Sequence, residues 1–258
     1  MKTRVPQSLL FSWHWNKPEF NEQWNFLTGK NSAAEHCETI WKTNFKEVQV
    51  LTVPSDRGKY RIALKHYREK RFFRYFLRPS LAAREAAGFA VVESLGIPAA
   101  NVLAYGEKRK FFNLVDAYFV TEFEENTETL LDLVENKEND NKILLELLKE
   151  NIRYLAKLHA AGYTHGGAHP RNFLWRKNAD GTLESIWIDL ATLRKPASGR
   201  KYWKYLLTDL SDFAEYFRLS QEDLDMLIAE YRKINDIPAA YRLCSNKGHK
   251  LSEAFRKI

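Results

Sequence analysis

The sequence predicts an α+β protein with a strand-rich first half and a mainly helical second half. Two patterns carry this. Val48-Gln49-Val50-Leu51-Thr52-Val53 is rich in β-branched residues, and Tyr60-Arg61-Ile62-Ala63-Leu64-Lys65 alternates between apolar and polar positions. Beyond Glu122 the spacing changes. The stretch from Ile143 to His159 places apolar residues at 144, 147, 148, 152, 155 and 158, one face of a helix.

The elements follow in chain order. Residues 1–34 form an aromatic arm containing Phe11, Trp13, Trp15, Phe20, Trp24 and Phe26, which either packs across the first lobe or serves as a binding platform. The first lobe spans 35–121. Pro54-Ser55-Asp56-Arg57-Gly58 reads as the turn of a hairpin between the two strands above. A helix follows, capped by Ser80, with Ala82, Ala86, Phe89 and Val92 at helical spacing, and closed by Gly96 and Pro98. Asn101–Tyr105 and Ala117–Thr121 read as a further strand pair, joined through Gly106-Glu107-Lys108-Arg109-Lys110. The second lobe spans 122–258, with the long helix stopped at Gly162 and further helices at Leu206–Phe217 and Gln221–Ile234.

Composition narrows the function classes. The 258 residues include only two cysteines, Cys37 and Cys244, which excludes a disulfide framework and a four-cysteine zinc site. No apolar run is long enough to span a bilayer, and Leu9-Leu10-Phe11 is too short for a secretory core. A cytoplasmic protein in a reducing compartment is expected. Forty Lys and Arg against 33 Asp and Glu leave a net charge of +7, which favours an anionic partner without naming it. No nucleic-acid-binding motif is present.

Three constellations carry chemistry. Asp180-Gly181 lies between Phe173-Leu174-Trp175 and Ser185-Ile186-Trp187, a hairpin signal. A turn centred there sets Asn172 opposite Asp189, an amide oxygen beside a carboxylate, which suits Mg²⁺ together with substrate phosphates. The alternative is a pair of polar strand caps. The loop Gly162-Tyr163-Thr164-His165-Gly166-Gly167-Ala168-His169-Pro170-Arg171-Asn172 joins helix to hairpin and places two histidines where a site can form. Glu85 shares a helix stripe with Phe89 and Val92. Buried there, it needs a partner, and Lys65 at the end of an apolar strand is the natural one. A partly exposed Glu85 is the alternative.

In order, Ala63-Leu64-Lys65, helical Glu85, His165-Gly166-x-x-His169-Pro170-x-Asn172 and Ile188-Asp189-Leu190 resemble the protein-kinase signature set of strand lysine, helix glutamate, asparagine-bearing loop and metal-binding aspartate, a known template. Over roughly residues 35 to 220 the chain resembles the bacterial lipopolysaccharide-core kinases of the Kdo/WaaP type. Arg84-Glu85, Leu95-Gly96-Ile97-Pro98, Thr121-Glu122-Phe123, Leu158-His159-Ala160-Ala161-Gly162 and Asp189-Leu190-Ala191 carry that likeness.

The resemblance implies a two-lobed protein-kinase-like fold with ATP and Mg²⁺ as cofactors. It implies that Lys65, Glu85, Glu122, Asn172 and Asp189 serve the nucleotide, that Asn172 and Asp189 hold metal, and that His165 and Asp209 scaffold the loop. The acceptor it implies is an anionic saccharide-lipid, reached by peripheral contact at the inner face of the inner membrane.

Two positions depart from the family pattern. Gly167 stands where an aspartate base is expected, and Lys42-Thr43-Asn44-Phe45-Lys46 has no glycine where a phosphate loop is expected. His169 is the candidate substitute base. The reading is therefore a phosphotransferase acting on a lipopolysaccharide-core sugar, with a pseudokinase binding module as the alternative. Two basic stretches, Lys65–Arg78 and Arg194–Lys204, suit anionic headgroups or saccharides; a solvated basic surface is the other account of them.

Overall fold

The computed structural model describes residues 3–8, 11–15, 36–55, 58–68, 74–110, 112–135, 141–197, 199–217, 219–236, 241–243 and 255–257. The chain divides into two compact units, one of Met1–Phe89 with Ala100–Glu125 and one of Ala90–Ala99 with Asn126–Ile258.

The first unit is built on a seven-stranded sheet. Its strands are β1 (Thr3–Ser8), β2 (Phe11–Trp15), β3 (His36–Lys42), β4 (Lys46–Ser55), β5 (Gly58–Arg68), β6 (Val102–Lys110) and β7 (Asn113–Glu122). They pair antiparallel in the order β1-β2-β6-β7-β5-β4-β3. The predicted hairpin is β4–β5, with Val50 opposite Ala63 and Ser55 opposite Gly58. Its turn residues Asp56 and Arg57 lie outside the described residues, as do Phe20, Trp24 and Phe26 of the aromatic arm. The β1–β2 part of that arm adds to the sheet by pairing β2 with β6.

The connection expected at Gly106–Lys110 is instead strand. β6 runs to Lys110, with Gly106 opposite Tyr118 on β7. The charges of Glu107 and Arg109 do not break the strand because they are satisfied in place. Arg109 Nε donates to Glu107 Oε2 at 2.7 Å, and Glu107 Oε1 accepts the Ser80 N–H at 2.8 Å. The Arg109 guanidinium also donates to the carbonyls of Tyr75, Arg78 and Phe112. It thereby ties the turn before the helix to the turn between β6 and β7. Leu77 and Phe112 on these turns both take positive φ, 52° and 63°. Such a backbone costs a bulky side chain on the order of 1–2 kcal/mol.

Helix α1 (Leu81–Ser94) begins as predicted, with Ser80 Oγ accepting the Ala83 N–H at 3.1 Å. It ends at Gly96, φ 62°, where the Ile97 N–H reaches back to the Val92 carbonyl.

The second unit holds β8 (Glu128–Thr129), α2 (Leu130–Glu135), α3 (Asn141–Ala160), β9 (Phe173–Lys177), β10 (Leu183–Trp187), α4 (Gly199–Phe217), α5 (Gln221–Arg232), β11 (Tyr241–Leu243) and β12 (Phe255–Lys257). α3 buries Leu147, Leu148, Ile152 and Leu155, the face read from its spacing. A polar cluster lies among these apolar side chains. Asn151 Oδ1 accepts from Trp187 Nε1 at 2.8 Å, and the Asn151 amide also bonds Ser185. α4 starts several residues earlier than expected, so most of the basic stretch after Asp189 is helical.

Candidate active site

In the first unit, β5 and α1 bring Lys65 and Glu85 together. Lys65 Nζ lies 2.5 Å from Glu85 Oε1, and the Tyr67 hydroxyl donates to Glu85 Oε2 at 2.5 Å. Glu85 has no solvent exposure and Lys65 only 9 %. The inward stripe position predicted for Glu85 is the one it occupies. Two donors, one charged, offset the cost of burying the carboxylate. Tyr67 was missed; its position two residues after Lys65, on the same strand face, is the signal that could have found it. Glu122, at the end of β7, pairs with Ile62, and its N–H donates to the Asn101 carbonyl at 2.9 Å.

The phosphate loop was expected at the turn 43–45, which joins β3 and β4. Thr43 N–H donates to the Lys46 carbonyl at 2.8 Å, and Thr43 Oγ1 accepts the N–H groups of Lys46 at 3.1 Å and Phe45 at 3.4 Å. These amides are committed to the turn itself, which limits their use as an anion cradle.

In the second unit the loop 162–172 is held by Asp209 of α4. Asp209 Oδ2 accepts the His165 N–H at 2.6 Å and Oδ1 accepts the Gly166 N–H at 2.7 Å. His159 backs the same carboxylate, with Nε2 at 3.2 Å, while its Nδ1 meets the Tyr231 hydroxyl at 2.8 Å. Thr192 Oγ1 donates to the His165 carbonyl at 3.1 Å. The His165 ring is fully buried against Phe173 and Trp187, and neither ring nitrogen has a hydrogen-bond partner. Burial pushes its pKa down, against the pull of Asp209 and Asp189, so the ring is neutral.

The two glycines of the loop differ. Gly166 has φ 74°, and a Cβ there would stand 2.9 Å from the Thr192 carbonyl oxygen, so only glycine fits. At Gly167 a Cβ would meet nothing closer than Thr192 Oγ1 at 3.5 Å, an ordinary contact. The missing aspartate is therefore not excluded by space.

His169 caps the 3₁₀ turn Pro170–Asn172. Its Nδ1 accepts the Arg171 N–H at 3.2 Å, and its ring lies tilted by 44° against Tyr216 with centroids 3.9 Å apart. Burial and then the Arg171 charge lower its pKa. With Nδ1 accepting, the neutral ring carries its proton on Nε2.

The hairpin register corrects the expectation that Asn172 faces Asp189. Phe173 pairs with Trp187, and the Ile188 N–H donates to the Asn172 carbonyl at 2.9 Å, so Asn172 stands opposite Ile188. The loop is wider than the two residues assumed. Asn178 N–H bonds the Thr182 carbonyl, Asp180 Oδ1 accepts the Thr182 N–H, and Gly181 takes the left-handed position at φ 85°. This is a three-residue loop with glycine at its end. Asp189 follows at once with φ 58°, an unusual backbone for a non-glycine residue and one that clusters at functional sites.

Asn172 Nδ2 donates to the Gly167 carbonyl at 2.9 Å, which fixes the orientation of its amide. An amide oxygen such as Asn172 Oδ1 and a carboxylate such as that of Asp189 are the hard oxygen donor types that suit Mg²⁺. Among the described residues there is no group of three or more His, Cys, Asp or Glu side chains placed to hold a metal ion.

A sheet carrying a lysine–glutamate pair, and a helical unit whose buried aspartate clamps a loop ahead of an asparagine and an aspartate, define the protein-kinase-like class of fold. The model of the lipopolysaccharide kinase (Kdo/WaaP) family matches residues 41–231, and the chain belongs to that family. Among solved structures, one described as WaaP in complex with acyl carrier protein is similar, with a TM-score of 0.62 and 17 % identity, over 86 % of this chain and 88 % of that one. No curated protein sequence matches the chain.

Proposed function

We propose that the protein transfers the γ-phosphoryl group of ATP to a hydroxyl of a lipopolysaccharide-core sugar. The buried Lys65–Glu85 pair is the observation that carries this reading. A kinase family implies ATP, and a carboxylate that fixes the lysine head lets it meet the α- and β-phosphates in one place. Glu122 would serve the nucleotide, and Asn172 and Asp189 would hold Mg²⁺, which when bound would neutralise phosphate charge. The Asp209 clamp keeps the loop before Asn172 rigid. The acceptor oxygen forms a bond to the γ-phosphorus as the bond to the β–γ bridging oxygen breaks. ADP leaves with that electron pair, and the acceptor proton passes to solvent. Phosphoryl transfer depends mainly on positioning and charge, so a site without a side-chain base keeps activity, lowered by about 10²–10⁴-fold. His169 can accept the proton only by giving up its bond to the Arg171 N–H. The lipid anchor of the acceptor places the chain at the inner face of the inner membrane; no helix among the described residues is long and apolar enough to cross a membrane.

Gly167 and the self-bonded turn 43–45 favour a second reading, a pseudokinase that binds nucleotide without transfer. ATP turnover with and without lipopolysaccharide core separates the two. Mg-ATP should raise the melting temperature, and Lys65→Ala and Asp189→Asn should each weaken that shift. No shift in the wild type removes both readings. A shift without core-dependent turnover leaves the pseudokinase.

A further inference from the structure

The segment that follows Asp189 runs beside the loop 162–172 and leaves one arginine at its rim. Side chains alternate along it. Ala191 and Leu193 are buried, while Thr192 and Arg194 are exposed. Thr192 Oγ1 is bonded to the His165 carbonyl. Two residues later the main chains of Arg194 and Thr164 exchange N–H to carbonyl bonds in both directions, at 2.9 and 3.0 Å. The Arg194 side chain is held as well. Its guanidinium carbon sits 4.2 Å from the centroid of the Tyr205 ring on α4. A Cβ at position 166 would stand 3.0 Å from its Nη2, so the absence of a side chain there makes room for the head.

The phosphotransfer steps above leave this arginine without a role. Confining a long side chain costs rotamer freedom. Here the confined head lies beside Gly166, one residue before the position that lacks an aspartate. Ion pairing within the fold does not account for it. Among the described residues no carboxylate forms an ion pair with Arg194. Asp209, which accepts the Gly166 N–H, is fully buried and already bonded by His165, Gly166 and His159. A guanidinium resting on an aromatic face keeps its in-plane N–H fork for a partner, and that fork matches the paired oxygens of a carboxylate or phosphate. Lys195 adds a second cation near the start of the loop, its Nζ 5.6 Å from the Tyr163 ring centroid. The reach also fits. Arg194 is five positions beyond Asp189, at most about 18 Å of extended chain. An acidic substituent on a neighbouring sugar can meet Arg194 while the reacting hydroxyl lies near Asp189.

We propose that Arg194 selects the acceptor, its guanidinium taking the paired oxygens of a carboxylate or phosphate group on the saccharide while Tyr205 keeps it aimed. This assignment rests on the phosphotransfer reading for the kind of acceptor and adds the residue that recognises it. No bond is made or broken at Arg194.

Calorimetric titration of the full chain with delipidated lipopolysaccharide-core oligosaccharide, without nucleotide, tests it. Arg194→Gln should weaken binding by about tenfold or more. Melting temperature and Mg-ATP affinity should stay unchanged, since the bonds to Thr164 are main chain. Arg194→Lys should recover only part of the loss, because an ammonium has no fork. Tyr205→Leu, which keeps the arginine and removes its support, should weaken binding by a smaller factor. Two altered oligosaccharides separate the sources of the acid group, one with its carboxyls reduced to alcohols and one with its phosphates removed. The form that lacks the recognised group should bind the wild type as weakly as the native form binds Arg194→Gln, and should lose nothing further in that variant. No binding to the wild type, equal binding of all three forms, an equal loss for all three in Arg194→Gln, or full recovery by lysine overturns the proposal. The titration needs no turnover. Arginine-dependent binding without phosphate transfer would keep the proposal and remove the enzyme, whereas transfer with binding unchanged in Arg194→Gln would do the reverse.

Discussion

The two units satisfy a buried carboxylate in opposite ways. Glu85 is met by side chains, the Lys65 ammonium and the Tyr67 hydroxyl. Asp209 is met chiefly by main chain, the N–H groups of His165 and Gly166, with His159 behind it. The first arrangement fixes a cation that a phosphate can use. The second fixes the path of a loop and offers nothing to a ligand. In the proposed function, charge at 85 serves binding and charge at 209 serves shape.

The comparison predicts a graded series. Asp209→Ala should have the largest effect on folding. It removes two charge-assisted bonds and strands the buried His165 amide and the half-buried Gly166 amide, a loss of about 3–5 kcal/mol measurable by urea unfolding. A loss below about 1 kcal/mol would show that the loop holds itself. Glu85→Ala should cost about 3 kcal/mol by leaving Lys65 buried without its carboxylate. Lys65→Met with Glu85→Leu should recover most of that stability and still abolish Mg-ATP binding. If the double variant binds nucleotide, the pair is structural only.

Gly167→Asp should raise core-dependent turnover by about 10²-fold or more, since a Cβ there meets only an ordinary contact with Thr192. Gly166→Ala, one residue earlier, should instead destabilise by about 1–3 kcal/mol. Equal behaviour of the two would refute the assignment of shape to one and chemistry to the other.

The legibility of the molecule divides along the same line. Lys65–Glu85 could be read because each residue sits in a strong local pattern, an alternating strand and a helical stripe. The Asp209 clamp bonds backbone amides 43 and 44 residues away, and any residue supplies an amide, so nothing in the local pattern marks it. It came only through resemblance. Asn151, Ser185 and Trp187 were missed for a similar reason: their bonds cross from helix to hairpin. The charged stretch 106–110 was read as a connection because its ion pair and carbonyl contacts are tertiary. The hairpin register was wrong by one position because Asp180-Gly181 was taken as a complete turn, whereas Asp180 accepts from Thr182 and lengthens the loop.

The smallest predicted effect concerns Asp212, three residues after Asp209. Burial, then the charges of Asp209 and Glu215, push its carboxyl up to about 6. The folded pKa lies above the unfolded one of about 4. The charged form is thus a cost at neutral pH, relieved as pH falls through 6. Asp212→Asn should stabilise by about 1 kcal/mol near pH 8, after allowance for its partial exposure, or roughly 2–4 °C in Tm. The gain should disappear below about pH 4. An equal gain at both pH values would assign it to packing instead.

The place of β2 in the sheet has one more consequence. β6 lies between β7 and β2, so both of its hydrogen-bonding sides are used. A chain begun after residue 15 would lose β1 and β2 and leave β6 with an open row of donors and acceptors. Open rows of that kind recruit other chains. With the arm in place the outer edge of the sheet is β1, where Pro6 removes one donor; shortening would move that edge to the proline-free β6, so a shortened protein should self-associate more readily.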